Sequence, residues 1–166
     1  MLYLWNKKTI MDRKIEISYK EFSGIGHMEA ADRELVEAAV KATENSYAPY
    51  SNFHVGAAVR LASGRIITGV NQENAAYPSG LCAERTAMFA AGANYPDDPQ
   101  ISIAIAAADA NGFLEAPATP CGACRQVMAE YQKKGRRNMS VILFGTKAIW
   151  KFEKVDDILP LIFDSI

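Results

Sequence analysis

Ile101-Ser-Ile-Ala-Ile-Ala-Ala-Ala-Asp109 places isoleucine at 101, 103 and 105 and small residues at the positions between. A period of two is the signature of a β-strand, and here both faces are uncharged up to the closing Asp109. Such a strand must be covered on both sides, as in a sheet with helices on each face. Upstream, Val55, Ala57, Val59 and Leu61 alternate, Ser63-Gly64 turns the chain, and Arg65 to Asn71 returns, which is a β-hairpin. A helical stretch runs from about Cys82 to Ala91, with Gly92 placed to end it. Downstream come a helix from Cys121 to Lys134 and a strand from Ser140 to Phe144. This β-α-β-α-β run implies right-handed crossovers and parallel neighbours. Only Gly145-Thr-Lys147 precedes Ala148, too few residues for a crossover, so the last strand, Ala148 to Phe152, returns antiparallel. Nearer the start, Asp32 is placed to cap a helix that reaches about Ser46, with Leu35, Ala39 and Ala42 on one face. Arg13 to Phe22 alternates and reads as a strand. The expected architecture is a layered α/β fold with a mixed five-stranded sheet.

The chain has 166 residues, enough for one domain with a proper core. No repeat or linker divides it. We expect an N-terminal extension over residues 1–30, containing the first strand, and one catalytic domain over 31–166. Eighteen basic against nineteen acidic residues leave a net charge of −1, which gives no basic stripe for a nucleic-acid backbone. Lys133, Lys134, Arg136 and Arg137 read as a solvated helix end. No apolar run approaches the roughly 20 residues of a membrane helix. The N-terminus lacks the pattern of a secretory signal, and Met11 is an alternative start. Three cysteines, an odd number without an export signal, point to reduced thiols and to metal binding or catalysis.

Pro120-Cys-Gly-Ala-Cys124 opens a helix for which Thr119 is the expected cap and Pro120 the first helical residue. By itself this C-x-x-C is a redox pair, half a zinc site or chance. Cys82 narrows the choice. It too lies at a helix start, and both helices follow parallel strands, so three thiols converge on one sheet edge. Three thiolates suit Zn²⁺, and three protein ligands leave a position for water, as catalytic rather than structural zinc requires. His27 and His54 are read as ordinary residues. Glu84, two residues from Cys82, is either a first-turn carboxylate that favours the helix dipole or, beside such a zinc, the group that takes the proton of the bound water. Arg85 is placed to donate to the sulfurs and offset the negative charge of three thiolates, against the plain alternative of a surface residue.

Three blocks, SYAPYSNFHVGAAV (46–59), TGVNQENAAYPSGLCAERTAMF (68–89) and PCGACRQVM (120–128), resemble the zinc-dependent cytidine deaminases, specifically the small homotetrameric class. The resemblance spans about residues 31–163. It implies a three-layer α-β-α cytidine deaminase-like fold. It implies Zn²⁺ held by Cys82, Cys121 and Cys124, with Glu84 shuttling protons while a zinc-activated water replaces the amino group at carbon 4 of cytosine. Cytidine and deoxycytidine would become uridine and deoxyuridine, in cytoplasmic pyrimidine salvage. Asn71 and Glu73 match the pair that binds the ribose hydroxyl, and Phe53 matches the aromatic beside the nucleoside. Tyr77 matches an interface tyrosine, and Phe163 a C-terminal ring that stacks in a neighbouring subunit's site, both dependent on a homotetramer. Val70 stands where many relatives have cysteine.

Rivals share the fold. Deaminases of nucleic-acid bases usually carry H-x-E and a crossover before the last strand, against which the short Gly145 to Lys147 turn argues. An aminonucleoside-antibiotic deaminase shares C-A-E but is disfavoured by Asn71-Gln-Glu73-Asn74. A structural zinc module and a cysteine redox protein remain from other classes.

Overall fold

The computed structural model describes residues 11–164. In chain order the elements are β1 (Lys20–Phe22), α1 (Ala30–Ala42), β2 (His54–Leu61), β3 (Ile66–Val70), α2 (Ala83–Asn94), β4 (Gln100–Asp109), β5 (Gly112–Phe113), α3 (Gly122–Gly135), β6 (Ser140–Phe144) and β7 (Ile149–Phe152). One sheet runs in the order β1-β7-β6-β4-β2-β3, with β5 paired to β4. The five expected strands form its body, and β1 and β5 bring the number to seven. The first ten residues of the N-terminal extension, and with them the choice between Met1 and Met11 as start, lie outside the described residues.

The alternation in β4 sorts the interior into two cores. Ile103 and Ile105 meet Ala83, Ala87 and Met88 of α2 and Cys124 and Met128 of α3 on one face. Ala104 and Ala106 meet Leu35, Val36 and Ala39 of α1 on the other. The expected α-β-α layering is what the structure has. Small residues let the layers close tightly: a Cβ on Gly56 would sit 2.2 Å from the Ala39 carbonyl of α1, and one on Gly69 would sit 2.3 Å from the Ala87 nitrogen of α2.

Several expectations need correction. Parallel neighbours occur once, between β4 and β6. β3 and β4 point the same way, but β2 lies between them, antiparallel to both. The strand expected over Arg13 to Phe22 is regular only at Lys20–Phe22, because its partner β7 supplies just Ile149, Trp150 and Lys151. Tyr19 still packs its ring 5.3 Å from those of Trp150 and Phe152. α1 begins at Ala30 rather than after Asp32, whose carboxylate instead pairs with Lys151 at 2.6 Å. It ends at Ala42, and a 3-10 turn, Thr43–Asn45, carries the chain to Ser46. α2 passes through Gly92 to Asn94. Gly92 is there for room, since a Cβ would fall 2.3 Å from the Tyr131 hydroxyl of α3. β7 returns antiparallel to β6 after the short turn, as expected.

Candidate active site

α2 and α3 begin at the same edge of the sheet, beyond the C-terminal ends of β3 and β4. Gln72 and Leu81 exchange backbone hydrogen bonds of 2.8 and 2.9 Å, which fixes the approach to α2 and leaves Cys82 as its N-terminal flank. Cys121 flanks α3 in the same way, so Pro120 lies outside the helix and Thr119 does not cap it. Arg125 holds that approach by donating to the Pro120 carbonyl at 2.8 Å and the Ile158 carbonyl at 2.9 Å.

The three sulfurs of Cys82, Cys121 and Cys124 lie within 4.8 Å of one another, and Cys82 Sγ is 3.9 Å from Cys121 Sγ. Tetrahedral zinc with Zn–S bonds of about 2.3 Å sets its sulfurs roughly 3.8 Å apart, so the spacing fits the metal. The donor set fits as well. Hydrogen bonds from the Cys124 thiol, the Arg85 guanidinium and the Cys121 thiol lower the Cys82 thiol to about 5, a thiolate at neutral pH. Its hydrogen bond to Cys82 and its burial push the Cys124 thiol up. Arg85 Nη2 reaches Cys82 Sγ at 3.8 Å, while its buried Nε has no acceptor.

Glu84 projects from the first turn of α2 and is only 4% exposed. Burial raises its carboxyl above the ordinary range, and the charge on Cys82 adds to the effect. It borders a cavity of about 610 Å³ together with Cys82, Cys121 and Arg85. Phe53, Asn71, Glu73 and Tyr77 border the same cavity, so eight of the ten expected site residues, all but Cys124 and Phe163, face one space. Cys124 is buried behind the other two thiols. Phe163 stands apart. It is 66% exposed, and its backbone is held on α3 by Gln126, which donates to its carbonyl at 2.7 Å and accepts from its N–H at 3.3 Å.

The side chain of Asn71 has structural partners that the sequence did not reveal. Its amide donates to the Phe53 carbonyl and its carbonyl accepts from the Val55 N–H, both at 2.8 Å. Ser51, not singled out from the sequence, also lines the cavity and donates to Glu73 at 2.5 Å. His54 bonds with Ser46 and with Asn52, and His27 with Ser23, away from the thiols.

A family model described as the cytidine and deoxycytidylate deaminase zinc-binding region matches residues 29–137. The chain belongs to the cytidine and deoxycytidylate deaminase family. A cytidine deaminase of Sporosarcina psychrophila is 46% identical over 132 residues, 79% of this chain and 90% of the relative. One from Halalkalibacterium halodurans is 48% identical over 96 residues, 58% of this chain and 68% of the relative. The crystal structure of cytidine deaminase from Burkholderia pseudomallei superposes with a TM-score of 0.68 at 39% identity, covering 82% of this chain and all of that one. The family is a zinc-binding one, and the three-thiol cluster is where this deaminase fold can hold the ion.

Proposed function

We infer that the protein hydrolyses cytidine and deoxycytidine to uridine and deoxyuridine with release of ammonia, in pyrimidine salvage. The observation that carries this reading is the buried Glu84 beside three thiols spaced for zinc, in a cavity also lined by Phe53, Asn71 and Glu73. Zinc bound by Cys82, Cys121 and Cys124 would supply a Lewis acid that lowers the pKa of water. The rest falls to side chains. Glu84, its carboxyl raised by burial, can take one proton from water and hand it to ring nitrogen 3, then carry the second from the added hydroxyl to the departing amino group. A bond from carbon 4 to water oxygen forms and the bond to nitrogen breaks, leaving the keto product and ammonia. Arg85 donates to the Cys82 sulfur and offsets part of the negative charge of the thiolates. Phe53 offers an apolar wall, and Asn71 and Glu73 offer polar groups to the sugar.

Among the described residues bordering the cavity, Arg85 is the one cation, and it faces the thiols. No second cation is left there to pair with a phosphate, which favours a free nucleoside over deoxycytidylate. The exposure of Tyr77 at the cavity and of Phe163 away from it supports a homotetramer in which neighbouring subunits complete each site. Three free thiols support a cytoplasmic setting, and no helix among the described residues is long and apolar enough to cross a membrane. Residues 31–166 would form the catalytic domain and residues 1–30 an extension whose strand β1 pairs with β7.

The decisive experiment incubates the protein with cytidine, deoxycytidine, cytosine and a single-stranded oligonucleotide, and follows ultraviolet absorbance, with Glu84→Ala in parallel and zinc assayed in both. Turnover of the two nucleosides is expected. The variant should lose on the order of 10²-fold or more of the rate, as removal of a general acid–base does, while retaining zinc. A variant as fast as wild type refutes the role of Glu84, and one that loses zinc makes Glu84 a ligand.

A further inference from the structure

The turn from Ala48 to Phe53 connects to Glu73 through a set of bonds that ends on one hydroxyl. The Asn52 N–H donates to the Ala48 carbonyl at 3.0 Å, and Asn52 takes the left-handed conformation, φ 52°, which asparagine tolerates. The turn therefore presents two successive N–H groups, of Tyr50 and Ser51, to Glu73 Oε2 at 2.8 and 3.2 Å. The Ser51 hydroxyl lies 2.5 Å from Glu73 Oε1 and accepts the Phe53 N–H at 3.0 Å. The direction of its proton follows from its neighbours. An N–H can only donate and an ionised carboxylate can only accept, so the Ser51 proton points to Glu73.

A carboxylate has about four lone-pair directions. Two on Oε2 are taken by backbone N–H groups and one on Oε1 by Ser51, which leaves a single acceptor position, on the oxygen that Ser51 holds. The same bonds keep the group ionised. The hydrogen bond from Ser51 leads, followed by that from the Tyr50 N–H, in lowering the Glu73 carboxyl below its ordinary range. Ser51 thus ties two parts of the nucleoside pocket together, the Phe53 wall through its backbone and the Glu73 acceptor through its side chain.

We propose that Ser51 is a positioning residue for substrate recognition, orienting Glu73 so that its one open lone pair accepts one hydroxyl of the sugar. The proposal rests on the nucleoside-deaminase reading. Because Glu73 has one open position, it cannot chelate a 2′,3′-diol, and a sugar with a single ring hydroxyl satisfies it. The action is on binding, since Ser51 touches neither the thiols nor Glu84.

The test is a double-mutant cycle in the zinc-loaded full-length protein, with Ser51→Ala, Glu73→Gln and the combination, read as kcat and KM for cytidine. Binding of uridine to the metal-free protein by calorimetry is a second readout. Ser51→Ala should raise KM on the order of 10-fold, the effect of losing a hydrogen bond to a charged group, and leave kcat within about twofold. Uridine binding should weaken by a similar factor. In the Glu73→Gln background the same substitution should add less than about twofold, and Ser51→Thr, which keeps the hydroxyl, should restore wild-type KM. If Ser51→Ala lowers the melting temperature, Ser51→Cys, close in size but a weak donor, takes its place with the same expectation. An unchanged KM, a fall in kcat alone, or an equal penalty with and without Glu73 overturns the assignment while leaving the deaminase reading intact. A zinc-loaded wild type inert towards cytidine overturns both.

Discussion

Gly69 offers a way to move the reacting groups without touching them. It lies on β3 where that strand passes beneath α2, and a Cβ there would fall 2.3 Å from the Ala87 nitrogen, 2.7 Å from the Ala87 Cα and 2.8 Å from the Ala83 carbonyl oxygen. All three are backbone atoms, so no rotamer change relieves the clash. Ordinary contact begins near 3.4 Å, so α2 must retreat by 3.4 minus 2.3, about 1 Å. Overpacking of this kind costs about 1–3 kcal/mol, and a rigid backbone neighbour puts Gly69→Ala at the upper end. For a chain of this size that is a melting temperature lower by roughly 6–12 °C. The retreating helix carries Cys82, Glu84 and Arg85 in and before its first turn. A displacement of about 1 Å at reacting groups can lower kcat on the order of 10²-fold. Zinc affinity, measured by competition with a chelator, should fall too, because Cys121 and Cys124 stay with α3 while Cys82 shifts. Gly26→Ala is the control, since nothing lies within 4 Å of a Cβ at that position. If Gly69→Ala keeps kcat within twofold and melts within a degree of wild type, the close approach of β3 to α2 does not set the site.

Glu73 and the N-terminal strand give two further expectations. The folded Glu73 carboxyl lies below its ordinary value of 4.5, so its contribution to stability is complete above 4.5 and is lost as pH falls through the lower folded value. In metal-free protein, denaturant midpoints measured below about pH 4.5 should therefore fall more steeply for wild type than for Glu73→Gln, and parallel curves would contradict the bond set around Glu73. Tyr19→Ala removes a ring packed at a tilt against Trp150 and Phe152 and should cost about 0.5–1.5 kcal/mol with kcat unchanged, because β1 lies at the sheet edge remote from the thiols. An unaltered melting curve would mean that the strand is not docked in solution.

The sequence revealed those features that local chemistry decides. The hairpin of β2 and β3 was legible because alternation and Ser63-Gly64 are both short-range signals. The three thiols were legible because strand–helix connections bring helix starts to one edge whatever the strand order. The misreadings have long-range causes. Gly92 looks like a helix stop until Tyr131 of α3 is seen against it, and Asp32 looks like a cap until Lys151, 119 residues away in sequence, supplies its partner. Strand adjacency failed because a hairpin strand, β2, enters between two strands that a crossover relates. In the site, Ser51 escaped notice because a serine in a turn is common, and only its simultaneous bonds to Phe53 and Glu73 distinguish it. The pattern of a polar residue between Tyr50 and Phe53 in a block rich in turn formers was the available hint.

The two cores on either side of β4 have a practical consequence. The three thiols, Glu84 and Arg85 are attached to the face of isoleucines, on α2, α3 and the loops at their starts, whereas α1 closes the alanine face. The sheet works as a partition. Substitutions under α1, at Leu35, Val36 or Ala104, would change how long the fold survives heat without changing what the site does. Those under α2 cannot separate the two. A search for a hardier variant of this deaminase belongs on the alanine side, and a search for altered selectivity on the other.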